Sequence, residues 1–353
     1  MSDPLSTRVC ELFGVRYPEV QTAMGWVATP ELVAATANAG GMGFLACATL
    51  RAEEARSEIG RTRELTAKPF GVNFLMEQPG AGEIVDAIIG AGVKAASYSR
   101  APNPSFIERL KSAGVLCVPT AGAARHAVKA VELGADIIVA QGGEGGGHTG
   151  SVPTSLLISQ VLDNVEVPVL AAGGFHDGRG LAAALAWGTD GIAMGTRFLL
   201  TAESPVPRET LARYFAAGVS DVVISTEVDG LPHRMIRNEF VDRLERGNPV
   251  TRLVRALASG LAYRRMSGAS IGQLLGSGLA MRRSERLTRT QMLMAANAPI
   301  FIRRAMVEGR PAEGVLPSGQ GAGLIDDLPS CKELIGAIVD EARGRLAALA
   351  SEV

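Results

Sequence analysis

The sequence predicts an α/β fold, a (β/α)8 TIM barrel with a C-terminal helical accessory region. Two observations carry that expectation. Eight short apolar runs recur between residues 19 and 195, and helix-patterned stretches separate them. Glycine-rich segments follow several of the runs, at the strand ends where a barrel places its functional loops.

The runs, in order, are EVQTAM (19–24), GFLAC (43–47), FGVNFL (70–75), KAASYS (94–99), VLCVPT (115–120), DIIVAQ (136–141), PVLAAG (168–173) and GIAMG (191–195). Most are apolar on both faces, as strands of a parallel sheet covered on both sides must be. After the first run, Thr29 is placed to cap a helix that Pro30 opens, and Gly40 and Gly41 are placed to stop it. The stretch AARHAVKAVELG has apolar residues at helical spacing and closes on Gly134, and GRGLAAALAWG repeats the design. A doubly wound open sheet is the alternative, but no dinucleotide-type glycine fingerprint follows the first strand. After about residue 230 strand-like runs stop and arginine-rich helical segments take over. The expected division is therefore a barrel at 1–230 and a helical cap region at 231–353.

The chain has 353 residues, 47% hydrophobic, enough to bury a large core. Its net charge of -1 argues against nucleic-acid binding by bulk charge. Cys10, Cys47, Cys117 and Cys331 lie far apart, with no CxxC pair, so neither a zinc site nor a disulfide framework is expected. Free buried thiols in a reducing cytoplasm are the simpler reading. The N-terminus lacks the apolar core of a signal peptide, and no run of about 18 apolar residues predicts a membrane span. Homo-oligomer formation stays open.

In a barrel, chemistry belongs at the C-terminal ends of the strands. The segment Gln141–Gly150, after the sixth run, has six glycines in ten positions and holds His148. Such a backbone wraps closely round a ligand, and a histidine in it can act as acid or base near neutral pH. The segments Ala171–Gly180 and Gly191–Arg197 follow the seventh and eighth runs, where loops form phosphate cradles from backbone N–H groups. Asn73, near the end of the third run, needs hydrogen-bond partners, either its own loop or a ring with polar edges. Gln141 has the same two readings. His126 is expected on an outer helix surface, His176 as a helix cap, and His233 as a candidate pocket residue.

Together these segments resemble the nitronate monooxygenase family, also called 2-nitropropane dioxygenases. The resemblance covers VQTAMGWVATPELVAATANAGGMGFL, PFGVNFL, AQGGEGGGHTG and AAGGFHDGRGLAAALAWGTDGIAMGTRFL, in order and in spacing. It implies an FMN-binding barrel, with Met24, Gly25, Asn73, Gln141, Gly146 and Gly174 around the flavin. It implies that Ala193, Met194, Gly195 and Thr196 hold the phosphate end and that His148 is the catalytic base. A related branch reduces enoyl thioesters, with NAD(P)H as the electron donor. The family's usual Ala-Pro-Met-Gly-Gly reads Thr22-Ala23-Met24-Gly25-Trp26 here, so Trp26 is expected in or near the pocket, which argues against a small nitronate. The C-terminal segments VDGLPHR, QMLMAANAPI and EGVLPSGQGAGLIDDLPSCKELI resemble a narrower group of flavoproteins from actinobacterial cholesterol catabolism. That resemblance implies α,β-dehydrogenation of a hydroxylated indanone-carboxyl-CoA thioester.

The charge distribution bears on the choice. Residues 234–310 hold fifteen arginines, no lysine and five acids, a local charge of +10. Arginine suits the phosphates of a CoA nucleotide, and Arg264, Arg265, Arg282 and Arg283 are candidates, as is the Arg303-Arg304 pair. Solvated helix faces and pairing with acidic groups are the alternatives, while RNA lacks stacking aromatics. The expected reaction is removal of the thioester α-proton by His148 and transfer of a β-hydride to FMN, with N–H groups of residues 145–150 near the thioester oxygen. The rival readings are nitronate oxidation with O2, NAD(P)H-dependent enoyl-thioester reduction, and non-catalytic flavin or CoA binding.

Overall fold

All eight expected strands form, and they close. In the computed structural model, which describes residues 3–99, 102–267, 294 and 296–351, the strands are β1 (Glu19–Gln21), β2 (Met42–Ala46), β3 (Gly71–Asn73), β4 (Ala95–Tyr98), β5 (Leu116–Ala121), β6 (Ile138–Gln141), β8 (Val169–Ala172) and β9 (Gly191–Met194). They pair in parallel in that order, and β9 returns to β1 through Val20 opposite Ala193. The short β7 (Gly147–His148) stands outside the barrel. The open-sheet alternative is thereby excluded.

The helices are α1 (Arg8–Phe13), α2 (Pro30–Asn38), α3 (Ala52–Leu65), α4 (Ala81–Gly90), α5 (Pro104–Ser112), α6 (Ala124–Glu132), α7 (Thr154–Leu162), α8 (Gly178–Ala186), α9 (Thr196–Leu199), α10 (Arg208–Phe215), α11 (Glu239–Glu245) and α12 (Pro249–Ser267), followed by Asn297–Met306 and the C-terminal helix Cys331–Ser351. Thr29 and Pro30 start α2 as expected, although the Thr29 hydroxyl makes no cap bond, and Gly40 just past its end is left-handed at φ 101°.

Alternation along the strands divides the core. Val20, Met42, Phe44, Val118, Val139, Leu170 and Ala193 share the cluster inside the barrel, and Val9 and Phe13 of α1 join it. Leu45 and Val72, one residue out of step, instead join the layer under α3 and α4 with Ile59, Ile84 and Ile88. A Cβ on Gly71 would lie 2.3 Å from the Phe44 ring, so the missing side chain is the space that ring occupies. Arg8 clamps α1 to the foot of β9 through a fork on Asp190, with both contacts at 2.8 Å.

Glu19 breaks the apolar rule. It is fully buried at the start of β1, and neither carboxyl oxygen has a hydrogen bond among the described residues. Burial pushes its carboxyl well above the ordinary value of 4.5.

The region after 230 departs from expectation in two ways. A strand does form there: β11 (His233–Ile236) pairs antiparallel with β10 (Val222–Ser225) on one side and with β7 on the other. Its leading residues are His and Arg, so it lacks an apolar run, yet all four are buried by their neighbours. The C-terminal helix, in turn, packs on α8 and α2. Its Leu334, Ile335, Ile338 and Val339 share one core cluster with Leu181, Ala184, Ile192 and Phe198 of the barrel. A Cβ on Gly178 would lie 2.5 Å from the Ile338 carbonyl, so the two backbones touch there. No helix among the described residues is long and apolar enough to cross a membrane.

Candidate active site

The glycine segment after β6 is a braced loop. Gly142 N–H donates to Ala172 O at 2.9 Å and Gly143 N–H to Val152 O at 2.7 Å. The Glu144 carboxylate accepts from the Thr154 backbone N–H at 2.9 Å and from the Thr154 hydroxyl. Arg234, buried on β11, donates from Nε to Gly143 O at 2.8 Å. A Cβ on Gly142 would collide with Thr154, so the close approach requires glycine there.

The loop ends in β7, which places His148 directly across from His233 on β11. The two rings lie 4.9 Å apart, tilted by 59°. His148 Nε2 lies 2.6 Å from Oδ2 of Asp229. The Asp229 side chain is only 6% exposed, against 42% for His148. Burial alone would raise the Asp229 carboxyl, but the hydrogen bond to His148 and the charges of His148 and His233 outweigh it and hold it below 3.8. An ionised carboxylate only accepts, so Nε2 carries the imidazole proton and Nδ1 the lone pair. The Leu231 N–H donates to the other oxygen, Oδ1, at 3.2 Å and fixes the carboxylate in a turn. His148, Asp229 and His233 offer ligand-type atoms that all lie within 4.8 Å of one another.

The other expected residues stand at the C-terminal ends of the barrel strands or in the segments that follow them, and of these Gln141 bonds His148. Asn73 Nδ2 donates to Ser97 O at 3.1 Å, and Gln141 Nε2 to His148 O at 3.1 Å. Both amides therefore bond their own framework through nitrogen, and each carbonyl oxygen is left without a partner among the described residues. Gly173 and Gly174 follow β8 in left-handed conformation, at φ 101° and 85°. Gly195 follows β9 and caps α9, and the place of its absent Cβ is 3.2 Å from Thr22 Oγ1 and 3.6 Å from Met24 Sδ. Barrel closure thus brings Met24, Ala193, Met194, Gly195 and Thr196 to one rim. Gly25 and Trp26 lie in the turn after β1. Trp26 is half-buried at φ 70°, the one non-glycine residue with positive φ among those described.

His126 is exposed on α6. His176 does not cap α8: Asp177 does, accepting from Gly180 N–H at 3.1 Å, because the shorter carboxylate side chain sits at the cap position itself.

Several residues of the site escaped the sequence reading. Ser318 and Gly319 cover Gly146, whose Cβ would lie 2.6 Å from Gly319 N. Gly319 N–H donates to Thr196 Oγ1 at 2.9 Å, and Gln320 N–H to Glu144 O at 3.0 Å. Asp229 and Arg234 are the other two. The available signals were the Asp229-Gly230 turn just before His233 and the glycine run at 319–323.

The arginine excess is partly neutralised locally. Arg237 reaches Asp242 at 2.6 Å and Glu245 at 3.2 Å, Arg252 reaches Glu227 at 2.8 Å, and Arg310 pairs with Glu308 and Glu313. Arg303 reaches Glu308 at 3.5 Å, and Arg304 stands over the Phe301 ring. The side chains of Arg264 and Arg265, on α12, and the whole of Arg282 and Arg283 lie outside the described residues.

Residues 6–89 and 82–341 match the family described as nitronate monooxygenase. A relative from Rhodococcus jostii (strain RHA1), named (3aS,4S,5R,7aS)-5-hydroxy-7a-methyl-1-oxo-octahydro-1H-indene-4-carboxyl-CoA dehydrogenase, is 50% identical over 98% of both chains. A relative of the same name from Mycobacterium tuberculosis (strain ATCC 25618 / H37Rv) is 50% identical over 96% of both. The structure of FabK from Thermotoga maritima superposes with a TM-score of 0.80 at 30% identity, covering 98% of this chain and 99% of that one.

Proposed function

The chain belongs to the nitronate monooxygenase family, and on that premise we propose that it is an FMN-dependent oxidoreductase that dehydrogenates a steroid-ring-derived acyl-CoA thioester between its α- and β-carbons. The substrate class follows the activity for which the two relatives at 50% identity are named. The observation that carries the chemistry is the His148–Asp229 pair, formed where the loop after β6 ends in β7.

The residues present fit the cofactor. The unbonded carbonyl oxygens of Asn73 and Gln141 suit the polar edge of a flavin ring, with Met24, Gly25, Gly146 and Gly174 beside it. The glycine turns after β8 and β9, with Ala193 to Thr196, suit its phosphate. FMN, when bound, supplies the two-electron acceptor for the β-hydrogen.

The protein's part is proton handling and placement. A thioester α-proton is weakly acidic, so its removal needs a base with a fixed lone pair. Asp229 fixes it on His148 Nδ1. In this reading the thioester oxygen draws on backbone N–H groups of the 145–150 loop as charge develops, other than those of Gly145 and Thr149, which donate to Gly142 O and Pro232 O. Trp26 and His233 line the ring-binding side, and Arg264, Arg265, Arg282 and Arg283 serve the CoA phosphates. In this reading residues 1–230 hold the cofactor and Ser318–Gln320 of the C-terminal part cover its loop, and four free, buried cysteines suit a cytoplasmic setting.

The test is anaerobic stopped-flow of the flavin-loaded protein with the hydroxylated indanone-carboxyl-CoA, propionate-3-nitronate or NADPH. The thioester bleaches the flavin, and His148→Ala keeps flavin but slows bleaching by about 10²–10⁴-fold. Bleaching by the nitronate alone supports nitronate oxidation. Fast bleaching by NADPH alone supports the reverse reaction, enoyl-thioester reduction. An unaltered rate in His148→Ala overturns the base assignment.

A further inference from the structure

Two imidazoles and a buried carboxylate meet at one corner of the site, although the cysteine spacing of the sequence holds no metal motif. We propose that His148, Asp229 and His233 form a binding site for a divalent transition ion of the Zn2+ type, and that its occupation silences His148 as a base. The binding half stands on geometry alone, whereas the silencing half rests on the role proposed for His148 above.

The donor set selects the ion. Two neutral imidazoles and one carboxylate suit Zn2+ and its neighbours, whereas Mg2+ and Ca2+ take oxygen ligands. The ligand atoms already lie within 4.8 Å of one another. Bonds of about 2.0–2.1 Å put tetrahedral ligands roughly 3.3 Å apart. The His148–Asp229 contact of 2.6 Å therefore opens slightly and His233 moves inward, changes within the reach of side-chain rotation.

The scaffold is rigid where it must be. His148 and His233 face each other across paired strands, so their backbones are fixed in register. The Leu231 N–H occupies Asp229 Oδ1 and leaves Oδ2 for the ion. The exposed side of His148 gives the ion an entry path and a place for water as fourth ligand.

Coordination rearranges one proton. The Nε2–H bond breaks and a bond from Nε2 to the ion forms, while Nδ1 takes a proton from solvent. Net proton count is unchanged, but neither nitrogen is left to accept the substrate's proton.

The experiment uses chelator-treated, flavin-loaded protein. ZnCl2 titration calorimetry is expected to give one ion per chain, and CoCl2 to give tetrahedral d–d bands to the red of the flavin absorption. His233→Gln and Asp229→Asn each weaken Zn2+ binding by more than the roughly 10–100-fold that an outer-shell loss costs. In the unaltered protein, Zn2+ also slows diethyl pyrocarbonate labelling of His148, read by peptide mass spectrometry. Binding indifferent to His233→Gln, or labelling indifferent to Zn2+, overturns the site. Bound Zn2+ that blocks labelling while thioester-driven bleaching continues overturns the silencing and leaves the site standing.

Discussion

Asp229 and His148 are 81 residues apart in sequence, yet their side chains meet at 2.6 Å, one deeply buried and the other partly exposed. The turn before β11 supplies the carboxylate, and the short strand β7, paired with β11 outside the barrel, supplies the histidine. The arrangement assigns the two ring nitrogens different tasks, because the buried partner can only accept.

Asp229→Asn tests that division. Asparagine keeps the shape but can donate from Nδ2, which favours the opposite tautomer. Flavin content is expected to persist while thioester-driven reduction falls by about 10²–10⁴-fold. The same variant alters acid stability. A carboxyl held below its ordinary 3.8 contributes stability that is present above that value and lost as pH falls through the folded one. Acid unfolding followed by circular dichroism should therefore lose part of its low-pH slope in the variant.

Glu19 has the opposite sign. Its folded form keeps the proton to a higher pH than the unfolded chain, so its contribution is most favourable below 4.5 and is lost as pH rises toward the folded value. Glu19→Leu is expected to stabilise the protein at pH 7–8 by about 1–3 kcal/mol, the scale of an unsatisfied buried polar group. The gain shrinks toward pH 4. Thermal melts across that range check it, and a destabilised variant at pH 8 would count against it.

Gly71→Ala forces a methyl group into the Phe44 ring. Overpacking of this kind typically costs about 1–3 kcal/mol. Combining it with Phe44→Leu vacates the space, so the double variant should be more stable than the sum of the single effects allows. Denaturant melts of the four proteins measure that coupling.

Trp26 predicts an inverted ranking. Trp26→Gly and Trp26→Ala lose the same side-chain packing, but only glycine is at ease at φ 70°. The glycine variant is expected to be the more stable by about 1 kcal/mol, against the usual order of the two residues. Equal melting temperatures would remove the case for backbone strain at this turn.

The parts of the fold that were legible in sequence are those where burial is a local property. Each barrel strand is covered on both faces, so its own residues had to be apolar. β11 was not legible, because His233 and Arg234 are buried by specific partners rather than by apolarity. The C-terminal helix could be read as a helix, but its seat on α8 depends on Gly178 more than 150 residues earlier. His148 stood out through its glycines. Asp229 did not, since an Asp-Gly turn that orients a histidine reads like any other Asp-Gly turn.

The contact of Ser318 and Gly319 with Gly146 has a consequence for how the protein comes into being. A ribosome releases His148 and its loop long before it releases their cover, and the helix Cys331–Ser351 comes later still. The loop's cover is therefore added well after the loop itself, and a chain interrupted after residue 230 would carry His148 yet be expected to bind flavin poorly. Flavin capture is then expected to wait for residues 318–320, and flavin fluorescence of nascent chains stalled at successive lengths should change only once residue 320 has cleared the exit tunnel.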